Sequence, residues 1–91
     1  MKLKEIYELV IKLGVEVDPR GKDEVKKFLD RNKKKFDKLD SEEKEFFDQE
    51  SLRNPYADTR ILYGDESIEV KQALVGVDIE VGEILLAERL R

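Results

Sequence analysis

The chain contains no cysteine and no histidine. The first absence removes disulfides, thiolate metal ligands and thiol nucleophiles together. The second removes every imidazole acid–base pair and leaves carboxylates and carbonyls as the evident metal ligands. No apolar run approaches the ~18 residues of a membrane-spanning helix, and the N-terminus lacks an apolar signal core. A phosphate-binding loop is missing too, because Gly76 and Gly82 are lone glycines without the spacing such a loop needs. The expectation is a cytoplasmic protein with no cofactor and no membrane partner.

What is present is charge. Charged residues make up 44% of the 91 residues, nearly double the usual share, with a net charge of −4. Such Lys- and Glu-rich usage leans toward heat-adapted proteins. The length allows one small domain, residues 1–91.

Leu3, Ile6, Tyr7, Val10 and Leu13 recur at three and four, which predicts an amphipathic helix over about 3–13, with Gly14 just past its end. Asp18-Pro19-Arg20-Gly21 reads as a turn, Pro19 presetting its second position and Gly21 suiting its fourth. A second helix is expected over about 23–39, with Asp23 and Glu24 at the positive end of its dipole. Its apolar face holds Val25, Phe28, Leu29, Phe36 and Leu39, with Asn32 among them at the edge or bonded to a neighbour. Asp40 and Glu43 are spaced as a capping box, opening a third helix over about 41–50 that folds back on the second. Asn54-Pro55 ends helical structure.

The least polar stretch is Val70 to Ile79, followed by Glu80 to Arg91. Its β-branched residues suggest a buried strand over 70–78, paired as a hairpin with 60–63 across Gly64-Asp65. Asp78 would then cap a helix over about 80–90. The expected fold is therefore α+β: three N-terminal helices, a β-hairpin and a C-terminal helix. Val70, Leu74, Val77, Val81 and Ile84 also form a heptad seam, so the alternative is an all-α protein with one helix from about 68 to 90. In the α+β reading the sheet has an open edge and an uncovered face. A homo-oligomer, most simply a dimer, would complete it, or a separate chain supplying the rest of the domain.

Four stretches carry a resemblance. Asp18-Pro19-Arg20-Gly21, Glu45-Phe46-Phe47-Asp48, Asn54-Pro55-Tyr56-Ala57-Asp58-Thr59-Arg60-Ile61-Leu62-Tyr63-Gly64-Asp65 and Val75 through Leu90 resemble the N-terminal part of archaeal Nif-three-like proteins. That family is described as dinuclear-metal-binding, in some members as GTP cyclohydrolase I type 2. The resemblance covers nearly all of this chain but only the opening third of such a protein. It implies a shortened relative, a split gene product or a chain cut at a domain edge. The family's ligands, a His-His-Pro element and later Asp, His and Glu residues, have no counterpart here, so no metal ligand carries over.

Two residue sets stand out as candidate sites. Asn54, Tyr56, Asp58 and Arg60 form a polar, loop-borne cluster open to a ligand or an interface, although an Asp58–Arg60 pair with Tyr56 beneath would fix the loop without any further role. Lys27, Arg31, Lys34 and Lys38 share one face of the second helix and form a stripe able to meet anions. Residues 1–40 hold 12 basic against 9 acidic side chains, and residues 41–91 hold 6 against 13. That balance makes nucleic acid a poor partner, and a solvated face is the plainer reading. Asp58, Asp65, Asp78 and Glu80 could be imagined as an acid–base pair or magnesium site, but Asp65 suits a turn and Asp78 a cap. The expected function is a non-catalytic, self-associating structural module with no catalytic, cofactor or metal residues. The alternatives are a piece of a metal-dependent hydrolase completed by another chain and, more weakly, a nucleic-acid-associated protein.

Overall fold

Two helices joined at the Asp18–Gly21 turn set the frame, in a computed structural model that describes residues 1–91. Helix α1 spans Leu3–Glu16 and α2 spans Lys22–Asp37. Between them Gly21 N–H donates to the Asp18 carbonyl (3.0 Å), and Gly21 adopts φ +84°, a backbone region that favours glycine. The turn therefore forms where Pro19 and Gly21 place it. Helix α1 runs one turn further than expected. Gly14 stays inside it because the Tyr56 ring lies where a side chain would stand, with an added Cβ only 3.0 Å from Tyr56 Cε2. The helix's inward face is Leu3, Ile6, Tyr7, Ile11, Gly14 and Val15, while Val10 and Leu13, expected inside, are half exposed.

Helix α2 presents the expected face. Val25 is 2% exposed, the one fully buried apolar side chain. Phe28, Leu29, Asn32, Phe36 and Leu39 are half-buried beside it. Asn32 donates from Nδ2 to the Ser51 carbonyl (3.0 Å), so it bonds to a neighbour on the inward side.

Asp40 opens α3, Ser41–Glu45, by accepting the Glu43 N–H at 2.8 Å, while Glu43 Oε1 accepts the Asp40 N–H at 3.4 Å. The helix stops five residues short of the expected end. Phe47 packs on Phe36, with ring centroids 5.2 Å apart, and the chain then tightens into a 3₁₀ turn at Gln49–Leu52. That turn is pinned by Ser51 Oγ donating to the Asp48 carbonyl at 2.6 Å. The segment packed against α2 is this turn, not a full third helix.

The chain is all-α, and the expected α+β fold with its β-hairpin is not formed. The only pairing of strand type is one antiparallel bridge, Lys2 to Glu69. The Asp65 carboxylate accepts Ser67 N–H (2.8 Å) and Oγ–H (2.7 Å), and this turn swings residues 66–70 toward the N-terminus instead of back along 60–63. There the Ile68 and Glu66 carbonyls accept the Leu3 and Lys4 N–H groups, each at 2.9 Å, satisfying donors that a helix start leaves free. Residues 71–79 make no backbone hydrogen bond to other backbone. A strand without a partner edge has nothing to hold it, which is why the valine-rich stretch stays irregular. The single helix over 68–90 is absent as well. Helix α4 is confined to Val81–Leu90, with Glu80 rather than Asp78 as its N-cap and Glu83 Oε2 accepting the Glu80 N–H at 3.0 Å. No helix is long and apolar enough to cross a membrane.

The molecule measures 49 × 34 × 23 Å with a radius of gyration of 16.4 Å. A compact domain of this length has a radius near 12 Å. The excess reflects a C-terminal arm standing away from the α1–α2 body. The capping contact at α3 is testable by itself. Asp40→Ala is expected to lower stability by about 1 kcal/mol, read as an earlier urea midpoint with an unchanged slope.

Candidate functional site

The loop from Asn54 to Arg60 closes the body by hydrogen bonds rather than by apolar packing. Asn54 is 1% exposed and Pro55 is buried beside it. The Asn54 amide donates to Tyr7 Oη (2.9 Å) and to the Thr59 carbonyl (2.8 Å), and its Oδ1 accepts the Tyr56 N–H (2.8 Å). Its backbone N–H donates to the Glu50 carbonyl at 2.7 Å. Tyr7 Oη in turn donates to the Glu50 carboxylate. Burial, and then this bond to Glu50, pushes the Tyr7 hydroxyl's pKa above its ordinary value.

Arg60 lies across the outside of this knot. Its guanidinium donates to the Tyr56 and Thr59 carbonyls (2.8 and 3.2 Å) and to Asp48 Oδ2 (2.7 Å), with Glu50 Oε2 3.6 Å from Nε. The hydrogen bond to Asp48 holds the guanidinium protonated above its ordinary range, against a smaller opposing effect of burial. Tyr56 reaches the opposite way, its hydroxyl donating to Asp18 Oδ2 at 2.9 Å. Asp18 also accepts Arg20 Nε and Nη2 (3.1 and 2.9 Å) and the Arg20 backbone N–H (2.9 Å). These bonds, the Arg20 side chain's first, hold the Asp18 carboxyl well below the usual carboxylate range. Arg20 and Arg31 then flank the Phe28 ring at 5.6 and 6.0 Å, which ties the knot to α2.

Of the loop residues singled out from sequence, Asn54, Tyr56 and Arg60 are therefore brought together, and their polar atoms point at each other and at the protein. Asp58 is exposed and makes no side-chain hydrogen bond or ion pair. The expected Asp58–Arg60 pair is replaced by Asp48–Arg60 because the 3₁₀ turn delivers Asp48 and Glu50 to the guanidinium. Tyr7, Asp18 and Glu50 complete the network. A hydroxyl on the buried face of α1 is the one sequence signal that pointed to it. Lys27, Arg31 and Lys34 on α2 and Lys38 just past its end are all exposed, with Lys27 paired to Glu24 at 3.3 Å. No group of three or more acidic side chains gathers to hold a metal ion.

The larger surface feature is apolar. Val75 and Val77 are 89% and 100% exposed, and Val81, Ile84, Leu85 and Leu90 stand mostly in solvent. An open groove of about 840 Å³ runs beside α1, with nine of its twelve lining residues apolar, among them Leu3, Ile6, Val10, Leu62, Leu74 and Ile79. No family model, curated protein or solved structure matches this chain.

Two outcomes follow for the knot. Asn54→Ala removes three side-chain hydrogen bonds and leaves the Tyr56 N–H without an acceptor, and is expected to cost about 2–3 kcal/mol, measured by urea unfolding. Asp18 has a folded-state pKa below its unfolded one, so its stabilisation is present above about pH 4 and is lost as pH falls through the depressed value. Asp18→Asn is expected to lower the melting temperature at pH 7 and to flatten its fall below about pH 4.

Proposed function

We propose that this chain is a non-catalytic structural module that associates with itself, with the arm from Val70 to Leu90 supplying the contact. The observation that carries this reading is the amount of surface left uncovered. A compact monomer of 10.7 kDa exposes about 5,500 Å². This chain exposes 7979 Å², about 2,500 Å² more. A standard interface takes about 800 Å² from each partner, so the surplus is large enough for an extensive one.

The residues on that surface also favour association. Val75, Val77, Val81, Ile84, Leu85, Leu86 and Leu90 are each about half to fully exposed. Covering them contributes on the order of 1 kcal/mol apiece, or roughly 14 kcal/mol over two arms. Association costs about 4–15 kcal/mol in lost freedom, so the apolar gain is of the size needed. The Asn54–Arg60 loop supports the non-catalytic part, since the polar groups of Asn54, Tyr56 and Arg60 are engaged within the chain and Asp58 stands alone in solvent. A cytoplasmic setting and a kinship with the opening segment of Nif-three-like proteins belong to the same proposal, and both rest on the sequence alone.

Light scattering at micromolar concentration tests it. The expected mass is twice that of the chain, and the double variant Leu85→Lys with Leu90→Lys is expected to be monomeric while keeping its helical circular dichroism. A wild-type mass equal to one chain at every concentration would refute self-association.

A further inference from the structure

We infer that the groove beside α1 receives helix α4 of a second copy, and that the exchange is reciprocal about a two-fold axis. The inference rests on the self-association reading above and adds where the arm goes.

Helix α4 exposes Val81, Ile84, Leu85, Leu86 and Leu90, which lie around the helix rather than along one side. A helix apolar on most of its circumference needs walls on several sides, so a groove suits it and a flat face does not. Its ten residues span about 15 Å. The same chain carries an apolar trough of about 840 Å³ beside α1.

The chain's own α4 lies outside that trough. Leu74 and Ile79 form part of the groove wall, and the Ile79 side chain lies back over Gly76, where an added Cβ would stand 2.6 Å from its Cδ1. Only Glu80 separates the wall residue Ile79 from the first residue of α4. From there α4 leads away from the groove: Ala87 and Leu90 line a separate hollow with Gln72, Ala73 and Leu74, and no residue of α4 lines the groove. A helix from another molecule is free to enter it. The same chain thus holds both a groove and the element that fills it, the condition under which a two-fold pairing satisfies both contacts at once. The surplus of about 2,500 Å² per chain exceeds the roughly 800 Å² that a standard interface takes from each partner.

Because the chain has no cysteine, introduced pairs report contact without background. Val10→Cys and Leu85→Cys variants, made in separate chains, mixed and mildly oxidised, are expected to form a disulfide-linked species at twice the 10.7 kDa chain mass. Neither variant oxidised alone is expected to give it. Tyr63→Cys with Ile84→Cys is the second pair. Tyr63 is almost fully exposed at the groove, so its loss leaves folding intact. A dimeric mass without either mixed disulfide, or with Leu85→Cys linking to itself, would overturn the groove assignment while leaving self-association standing. Closure of Val10→Cys/Leu85→Cys within one monomeric chain would overturn it as well. A monomeric mass at all concentrations would instead remove the reading on which it rests.

Discussion

The constraint from which the other features follow is a shortage of buried apolar surface. Hydrophobic residues make up 40% of the chain, yet Val25 is the one apolar side chain that is fully enclosed. Burial of apolar area is the main favourable term in folding, and a chain this short has little to spare. Two consequences are visible. The α1–α2 body is closed by polar contacts where a larger protein would use a core. The most apolar segment is left largely in solvent, with Val75 and Val77 almost fully exposed.

The polar closure works because it is complete. No buried side-chain nitrogen or oxygen lacks a partner, so the desolvation of Asn54 is offset bond for bond. The network also joins segments distant in sequence: Tyr7 from α1, Asp18 and Arg20 from the turn, Glu50 from the 3₁₀ turn, and the loop itself. A fully satisfied polar network specifies one geometry where a thin apolar core tolerates several. Asn54, Tyr56 and Arg60 act as a clasp that orders the body, their hydrogen bonds made within the chain, while Asp58 faces solvent.

Local signals in the sequence were legible where the physics is local. The Asp18–Gly21 turn depends on proline geometry and glycine freedom, the Asp40–Glu43 box on three-residue spacing, and the inward face of α2 on helical periodicity. All three are formed as read. The misread elements depended on what the chain meets in space. The valines from Val70 to Val77 carry strand propensity, but a strand exists only with a partner edge, and residues 66–70 are drawn to the N-terminus of α1 instead. Gly14 reads as a helix end, yet it serves the approach of Tyr56 from 42 residues further along. Asp48 displaced Asp58 as the partner of Arg60 because α3 stops at Glu45, and nothing local to Glu45 announces the stop. The exposed valines and leucines of the arm were legible as apolar, though their arrangement was not.

Apolar arm and apolar groove in one molecule form a pair of unmet demands with a common remedy. Amide hydrogen exchange over Gln72–Leu90, followed across a hundredfold dilution series, asks whether that remedy is used. If copies cover each other's arms, protection of α4 rises with concentration and vanishes in dilute solution while the Asn54 amide stays protected throughout. Equal exchange of the arm at every concentration, whether fast or slow, would mean that no second copy covers it.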